Sequence, residues 1–385
     1  MTFQSALVPP IALRPDGLAE LGRDAATLAP RGRALLVIDG ALARNGLAAR
    51  AAALLEAAGL AVATYDGIAG EPGIGEVREA AALARRSDLV VGIGGGSALD
   101  TAKIAAACAR DPRDPLAFAC AAAPLPGRGV PKILVPTTAG TGAESSSTAI
   151  LRGGSGRKLW ICGPQTKAER ILLDPALSVT LPAAPTAFCG LDAFVHAFEA
   201  ATNRHANRGA ELYAHAALGL VARALPRAVA EPGSLDARAD MALAACYAGV
   251  AIDNCGTAIA HNVSHALAAL GPVNHGLATA LAFEATLPWL LAEPAPAAEA
   301  AARACGLARA AELPGFVSGM LDACGLERRL PAAFAGLSPA ALAAEMRAPE
   351  TAPMLRATAR EVGQGDVERL AEAMLALAPA LETAP

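Results

Sequence analysis

Residues 88–103 read DLVVGIGGGSALDTAK. The first six, Asp88 to Ile93, are a short β-branched run without polar alternation, the pattern of a strand buried on both faces of a parallel sheet. The run enters GGGS at Gly94 to Ser97, and a helical pattern follows from Ala98 to Ala109. Strand, glycine turn and helix in that order converge backbone N–H groups and a helix N-terminus on one point, where a phosphate can be held. The dinucleotide fingerprint GxGxxG is met only in part. Gly92 and Gly94 fit it, Ser97 takes the place of the third glycine, and the turn follows the third strand, not the first.

The same grammar extends to both sides. Upstream lie an apolar run at Ala34 to Ile38, a helical stretch at Ala41 to Ala58 and a second run at Ala61 to Tyr65; downstream are strand candidates at Lys132 to Val135 and Arg170 to Leu173. Buried strands separated by helices predict an α/β domain with a parallel sheet. A second loop, PTTAGTGAE at Pro136 to Glu144, follows one of these strands and offers two glycines with the hydroxyls of Thr137, Thr138 and Thr141. Two such loops at strand C-termini lie where open α/β sheets bind ligands. Asp39, at the end of the first strand, is placed to accept ribose hydroxyls and to repel a 2′-phosphate, which predicts NAD.

The pattern changes at Asp174 to Pro185, DPALSVTLPAAP, where three prolines interrupt the chain. Beyond it the sequence is a series of Ala/Leu helical patterns punctuated by Gly and Pro. We therefore expect two domains: 1–181, a dinucleotide-binding α/β domain, and 182–385, an all-α metal and substrate domain. In the second, Asp192 and His196 are four apart in GLDAFVHAFEA, as are His261 and His265 in HNVSH, so a helix puts each pair on one face. His275 follows the breaker Gly271-Pro272 and is placed to start another helix. One carboxylate with two or three imidazoles in such surroundings suits a first-row divalent metal. Spacing alone is weak evidence, since Glu211 and His215 are also four apart. The stronger argument is desolvation, because polar groups among apolar helices are costly unless paired.

Composition narrows the function classes. Hydrophobic residues make up 54% of the 385, with 37 Gly and only 3% aromatics. The charge-free run Asn254 to Phe283 nevertheless carries three histidines, so it does not read as a membrane span. Net charge is −4 without a basic block, which excludes an electrostatic footprint for nucleic acid or anionic membrane and favours a small-molecule partner. The N-terminus lacks the pattern of a signal peptide, and eight scattered cysteines include no CxxC pair; both predict a cytoplasmic protein with free thiols.

GGGSALDTAK (Gly94 to Lys103), PTTAGTGAE, GLDAFVHAFEA (Gly190 to Ala200) and the HxxxH with its later HG resemble, in order and separation, the iron-containing (group III) alcohol dehydrogenase family. The resemblance implies a metal and a nicotinamide held in a cleft between the two domains, and a homodimer. It implies metal ligands at Asp192, His196, His261 and His275, Fe²⁺ first and Zn²⁺ as the alternative, with His265 as a proton relay. It also implies dinucleotide contacts at Asp39, Gly95, Gly96, Ser97, Thr137, Thr138, Thr141 and Lys158, the last near the nicotinamide ribose. Asp100 and Lys103 match the family's pattern and read equally as a pair steadying the loop. The activity implied is reversible hydride transfer between NAD(H) and an alcohol/carbonyl pair. Alternatives are a maleylacetate-reductase-type enzyme and a dehydroquinate-synthase-like lyase, which needs many basic residues in the cleft, whereas the metal-bearing helices carry almost no Lys or Arg. The chain departs from the family at Glu71, where Asn is usual, at Ala143, at Ser145 to Ser147, at Ile252 and in the missing NPR signature near Ala348 to Arg356.

Overall fold

Leu89–Gly94, all six residues buried, runs through the middle of a six-stranded parallel sheet. The computed structural model describes residues 5–154, 156–293 and 295–379. Its strands are β1 (Ile11–Leu13), β2 (Gly32–Asp39), β3 (Leu60–Ile68), β4 (Leu89–Gly94), β5 (Lys132–Pro136), β6 (Thr148–Arg152), β7 (Lys158–Cys162) and β8 (Arg170–Leu173). The large sheet has the order β1-β8-β5-β4-β2-β3 with every pairing parallel. From β2 the chain moves to β3 on one side and then returns to β4 on the other. That reversal leaves a crevice at the C-terminal ends of β2 and β4, the position where such sheets take ligands. Leu35 to Ile38 on β2 and Leu89 to Val91 on β4 have no exposed surface, which is why their sequence shows apolar runs and no alternation.

Two features escaped the sequence reading. β1 is three residues long and pairs only with β8, too short for a periodic signal. β6 and β7 form a separate antiparallel hairpin with alternating burial on β6 and cations at its turn end, so the apolar run expected of a buried strand is absent. Contacts divide the chain into two units, one spanning Leu7–Thr180 and a helical one that takes the residues from Leu181 onward together with those before Leu7.

In the helical unit the long elements are Ala183–Thr202, Arg208–Ala230, Leu235–Cys255, Ile259–Leu270 and His275–Leu290. Small residues let them approach closely: a Cβ on Gly190 would lie 2.2 Å from Leu225 Cδ1, so any larger residue would have to displace the Leu225 side chain packed there. Phe194 and Phe198 meet Phe283 edge-on, with centroids 6.0 and 4.9 Å away. The run Asn254–Phe283 is broken at 256–258 and at 271–274, and so falls on parts of three helices. Among the described residues, no single helix is long and apolar enough to cross a membrane.

Candidate active site

In the helical unit several buried polar groups gather at one point. Asp192 lies mid-helix in Ala183–Thr202, His261 opens the first turn of Ile259–Leu270, and His275 is the first residue of His275–Leu290. The last start is local chemistry: Asn274 caps the helix, its Oδ1 accepting the Leu277 N–H at 3.1 Å. Gly276 lets that end approach closely, since a Cβ there would meet the Phe188 carbonyl oxygen at 2.3 Å. One ligand atom each from Asp192, His261 and His275 lies within 4.8 Å of the others. His261 Nε2 and His275 Nε2 are both 3.5 Å from Asp192 Oδ1. His196 borders this triad, its Nδ1 3.7 Å from Asp192 Oδ2 and its ring stacked on His261 at 4.3 Å. His265 stands beside it, 5.5 Å from the His275 ring and 6.4 Å from the His261 ring.

The residues fit a cation. Asp192 Oδ1 and His261 Nε2 are buried and make no hydrogen bond, an arrangement that is costly unless something positive lies between them. Burial alone would raise the Asp192 carboxyl, but the imidazoles of His196, His275 and His261 outweigh it and hold it far below the usual carboxylate range. Burial likewise opposes charge on His261, yet Glu199 and Asp192 prevail and push it up to about 9.

Sequence reasoning missed the groups that aim these rings. Glu199 accepts the Ala258 and Ala260 N–H groups at 2.7 Å each and holds His261 Nδ1 at 2.7 Å, which turns Nε2 toward Asp192. Ser264 Oγ holds His275 Nδ1 at 3.1 Å and itself accepts from Thr279 Oγ1 at 3.0 Å. Such outer partners set the tautomer and orientation of metal-ligating histidines. Glu199 was visible in the quoted GLDAFVHAFEA, three residues after His196 on the same helix face. Ser264 and Thr279 gave no signal.

In the α/β unit the two loops meet at the crevice. Thr137 N–H donates to the Gly94 carbonyl at 2.9 Å. A Cβ on Gly96 would lie 2.9 Å from Thr141 Cγ2, and one on Gly95 would be 3.4 Å from Thr138 Oγ1, so the loops pack backbone against hydroxyl side chain. Gly94 has φ +148°, and a Cβ there would clash with Ala98 at 2.7 Å. Gly95 precedes the helix Gly96–Cys108, and no side chain caps that helix, so its first turn is available to an anion. The loops thus fit the pyrophosphate of a dinucleotide. Asp39 caps the helix Gly40–Arg44 through Oδ1, which accepts the Ala41 N–H at 2.8 Å. The structure thus gives this residue a capping role.

Lys103 is structural. Wholly buried, its ammonium donates to the carbonyls of Ala143 at 2.8 Å and Thr148 at 2.5 Å, with Asp100 3.4 Å away, while Asp100 accepts the Ile150 N–H at 3.0 Å. The glycine-loop helix is thereby tied to both the threonine loop and β6. Lys158 is ion-paired with Glu71, and its side chain is 6% exposed.

A parallel sheet with glycine loops at its switch point and, in a second unit, an Asp/His cluster built for a cation define a metal-assisted, dinucleotide-linked oxidoreductase. Residues 9–175 match the family described as iron-containing alcohol dehydrogenase, and residues 186–331 match its C-terminal domain. The 1,3-propanediol dehydrogenase of Klebsiella pneumoniae is 34% identical over 275 residues, covering 69% of this chain and 70% of that protein. A solved 1,3-propanediol oxidoreductase superposes with TM-score 0.88 at 27% identity, covering 97% of this chain and all (100%) of the other. An iron-containing alcohol dehydrogenase from Thermococcus thioreducens does so with TM-score 0.86 at 26% identity and the same coverage. The chain belongs to the iron-containing alcohol dehydrogenase family, and it is an enzyme of the alcohol dehydrogenase class.

Proposed function

We propose that the protein interconverts a small neutral alcohol with its aldehyde or ketone, using NAD(H) and a divalent metal, iron(II) first and zinc as the substitute. The observation that carries this is the convergence of Asp192, His261 and His275 with Asp192 Oδ1 and His261 Nε2 buried and lacking hydrogen bonds. Asp192, His196, His261 and His275 would hold the metal, and three imidazoles with one carboxylate are a donor set suited to first-row divalent ions. Asp39, Gly95, Gly96, Ser97, Thr137, Thr138, Thr141 and Lys158 would hold the dinucleotide. When bound, the metal supplies Lewis acidity toward the substrate oxygen and the nicotinamide supplies the hydride acceptor.

The chain's own residues do the rest. Glu199 and Ser264 fix the ring orientations of His261 and His275, so their Nε2 atoms meet the substrate side without reorganisation. Apolar residues around the cluster exclude water, which strengthens each charge interaction there. His265, half-buried beside His275, moves the alcohol proton to solvent. Asp39 disfavours a 2′-phosphate by like-charge repulsion, giving NADH preference over NADPH. The eight free cysteines support a reducing, cytoplasmic setting; a homodimer rests on the family resemblance alone.

The test is a panel of short alcohols and aldehydes with NADH and NADPH on protein reconstituted with Fe²⁺ or Zn²⁺, followed by nicotinamide absorbance. Turnover with NADH is expected. Absence of any change across the panel would contradict the reading, and equal or better use of NADPH would remove the role given to Asp39.

A further inference from the structure

Glu71 follows β3 by three residues and leaves the sheet on the same C-terminal edge as Asp39, because β2 and β3 are neighbours with Asp39 opposite Ile68. Its carboxylate bridges two cations of the β6–β7 hairpin: Oε1 pairs with Lys158 Nζ, and Oε2 accepts from Arg152 Nε at 2.8 Å. Arg152 and Lys158 are direct cross-strand partners. Like charges directly opposite one another are destabilising on a sheet unless something negative lies between them, and Glu71 provides it. The backbone keeps it there, since Arg152 N–H donates to the Pro72 carbonyl at 2.8 Å and Gly73 bridges to Arg152.

An arginine and a lysine converging on the two oxygens of one group is the geometry that recognises phosphate. The occupant here is the chain's own carboxylate. Burial would raise the Glu71 carboxyl, but Lys158 and Arg152 hold it below its ordinary value, so it stays charged. The Lys158 side chain is 6% exposed, whereas Glu71 is 31% and Arg152 40% exposed, so the cluster opens to solvent on the Arg152 side. The hairpin is also fastened to the glycine-loop helix through Ile150 and Asp100 and through Thr148 and Lys103. The cation pair is thereby held on the framework that carries the dinucleotide loops.

We infer that Lys158 and Arg152 form a phosphate-binding pair already occupied by Glu71, and that Glu71 thereby selects against ligands carrying an additional phosphate group. Where the resembling family has Asn, this chain places a repulsive charge, a recognised route to specificity. The inference rests on the proposed dinucleotide site for its meaning: with Lys158 near the nicotinamide ribose, and the 2′-phosphate of NADPH on the distant adenosine ribose, the excluded phosphate is that of a phosphorylated substrate.

The experiment is calorimetric titration of the purified full chain and of its Glu71→Gln variant with inorganic phosphate, NADH, NADPH and glyceraldehyde 3-phosphate. Glu71→Gln is expected to bind inorganic phosphate at least about tenfold more tightly than the wild type, as loss of one close like charge implies, and Arg152→Met added to it removes the gain. A matching gain for the phosphorylated aldehyde, with NADPH and NADH unchanged relative to one another, supports the inference; a gain confined to NADPH over NADH contradicts it. Unchanged phosphate affinity in a variant that melts like the wild type overturns the inference and leaves Glu71 as a hairpin brace. Glu71→Asn, the family's residue, serves as the second variant should Gln impair folding, with the same outcomes. Failure of the wild type to bind NADH is a separate result: it contradicts the proposed cofactor site and not the phosphate arm.

Discussion

The two ligand regions solve recognition in opposite ways. In the α/β unit the two loops proposed to hold the dinucleotide offer backbone N–H groups and hydroxyls, and the glycines matter because neighbouring atoms leave no room for a Cβ at Gly94 or Gly96. In the helical unit the proposed metal ligands are four ionisable side chains among apolar helices, two of them, His261 and His275, aimed by Glu199 and Ser264. The first region should fail when something is added and the second when something is removed. A backbone cradle tolerates charge changes around it, whereas a buried ligand set concentrates its function in a few atoms.

The largest expected effect lies in the helical cluster. His261→Ala should abolish metal binding and lower kcat by on the order of 10³-fold or more, the several kcal/mol a Lewis acid contributes, while NADH affinity stays unchanged; metal analysis with a binding titration checks both. Next is Gly96→Val, whose added carbons meet Thr141. It should weaken NADH binding about 10- to 100-fold, the cost of overpacking a tight contact, with metal content intact. Glu199→Gln keeps the shape of the outer partner and removes its charge, so metal affinity should fall about 10- to 100-fold by chelator competition. Equal damage to both ligands by either of the first two variants would break the division between the regions.

A smaller effect concerns Glu144, in the threonine loop. Burial raises its carboxyl to about 7, the nearby Lys103 only partly opposing and Asp100 adding to the rise. Because the folded value lies above the unfolded one, its contribution to stability is fully present below about 4.5 and is lost as pH rises toward 7. Glu144→Gln should flatten that part of the melting curve against pH and gain on the order of 3 kcal/mol relative to wild type above pH 8. The smallest effect is redox: with all eight cysteines free, a reducing agent should leave Tm unchanged within about a degree.

Much of this was legible in the sequence because it rested on local pattern. β2, β4, β5 and β8 are buried on both faces and therefore read as apolar runs, and the turn before His275 was marked by Gly271-Pro272. What could not be read depends on long-range placement. Strand β1 is stabilised by pairing with β8, about 160 residues away, and the hairpin cations depend on Glu71, 81 residues before Arg152. Glu199 showed itself as one more polar residue in a helical motif; only its fold-dependent meeting with the 258–261 turn reveals that it orients His261. The capping role of Asp39 also needed coordinates, because a cap and a ribose contact predict the same residue at a strand end.

The central claim is that the buried Asp/His cluster holds a divalent metal independently of the glycine loops. The most direct measurement is elemental analysis of the freshly purified wild type and of His275→Ala, paired with NADH titration of both. The account predicts about one equivalent of a first-row divalent metal in the wild type, little or none in the variant, and the same NADH affinity in each. A variant that retains the metal in full would contradict it.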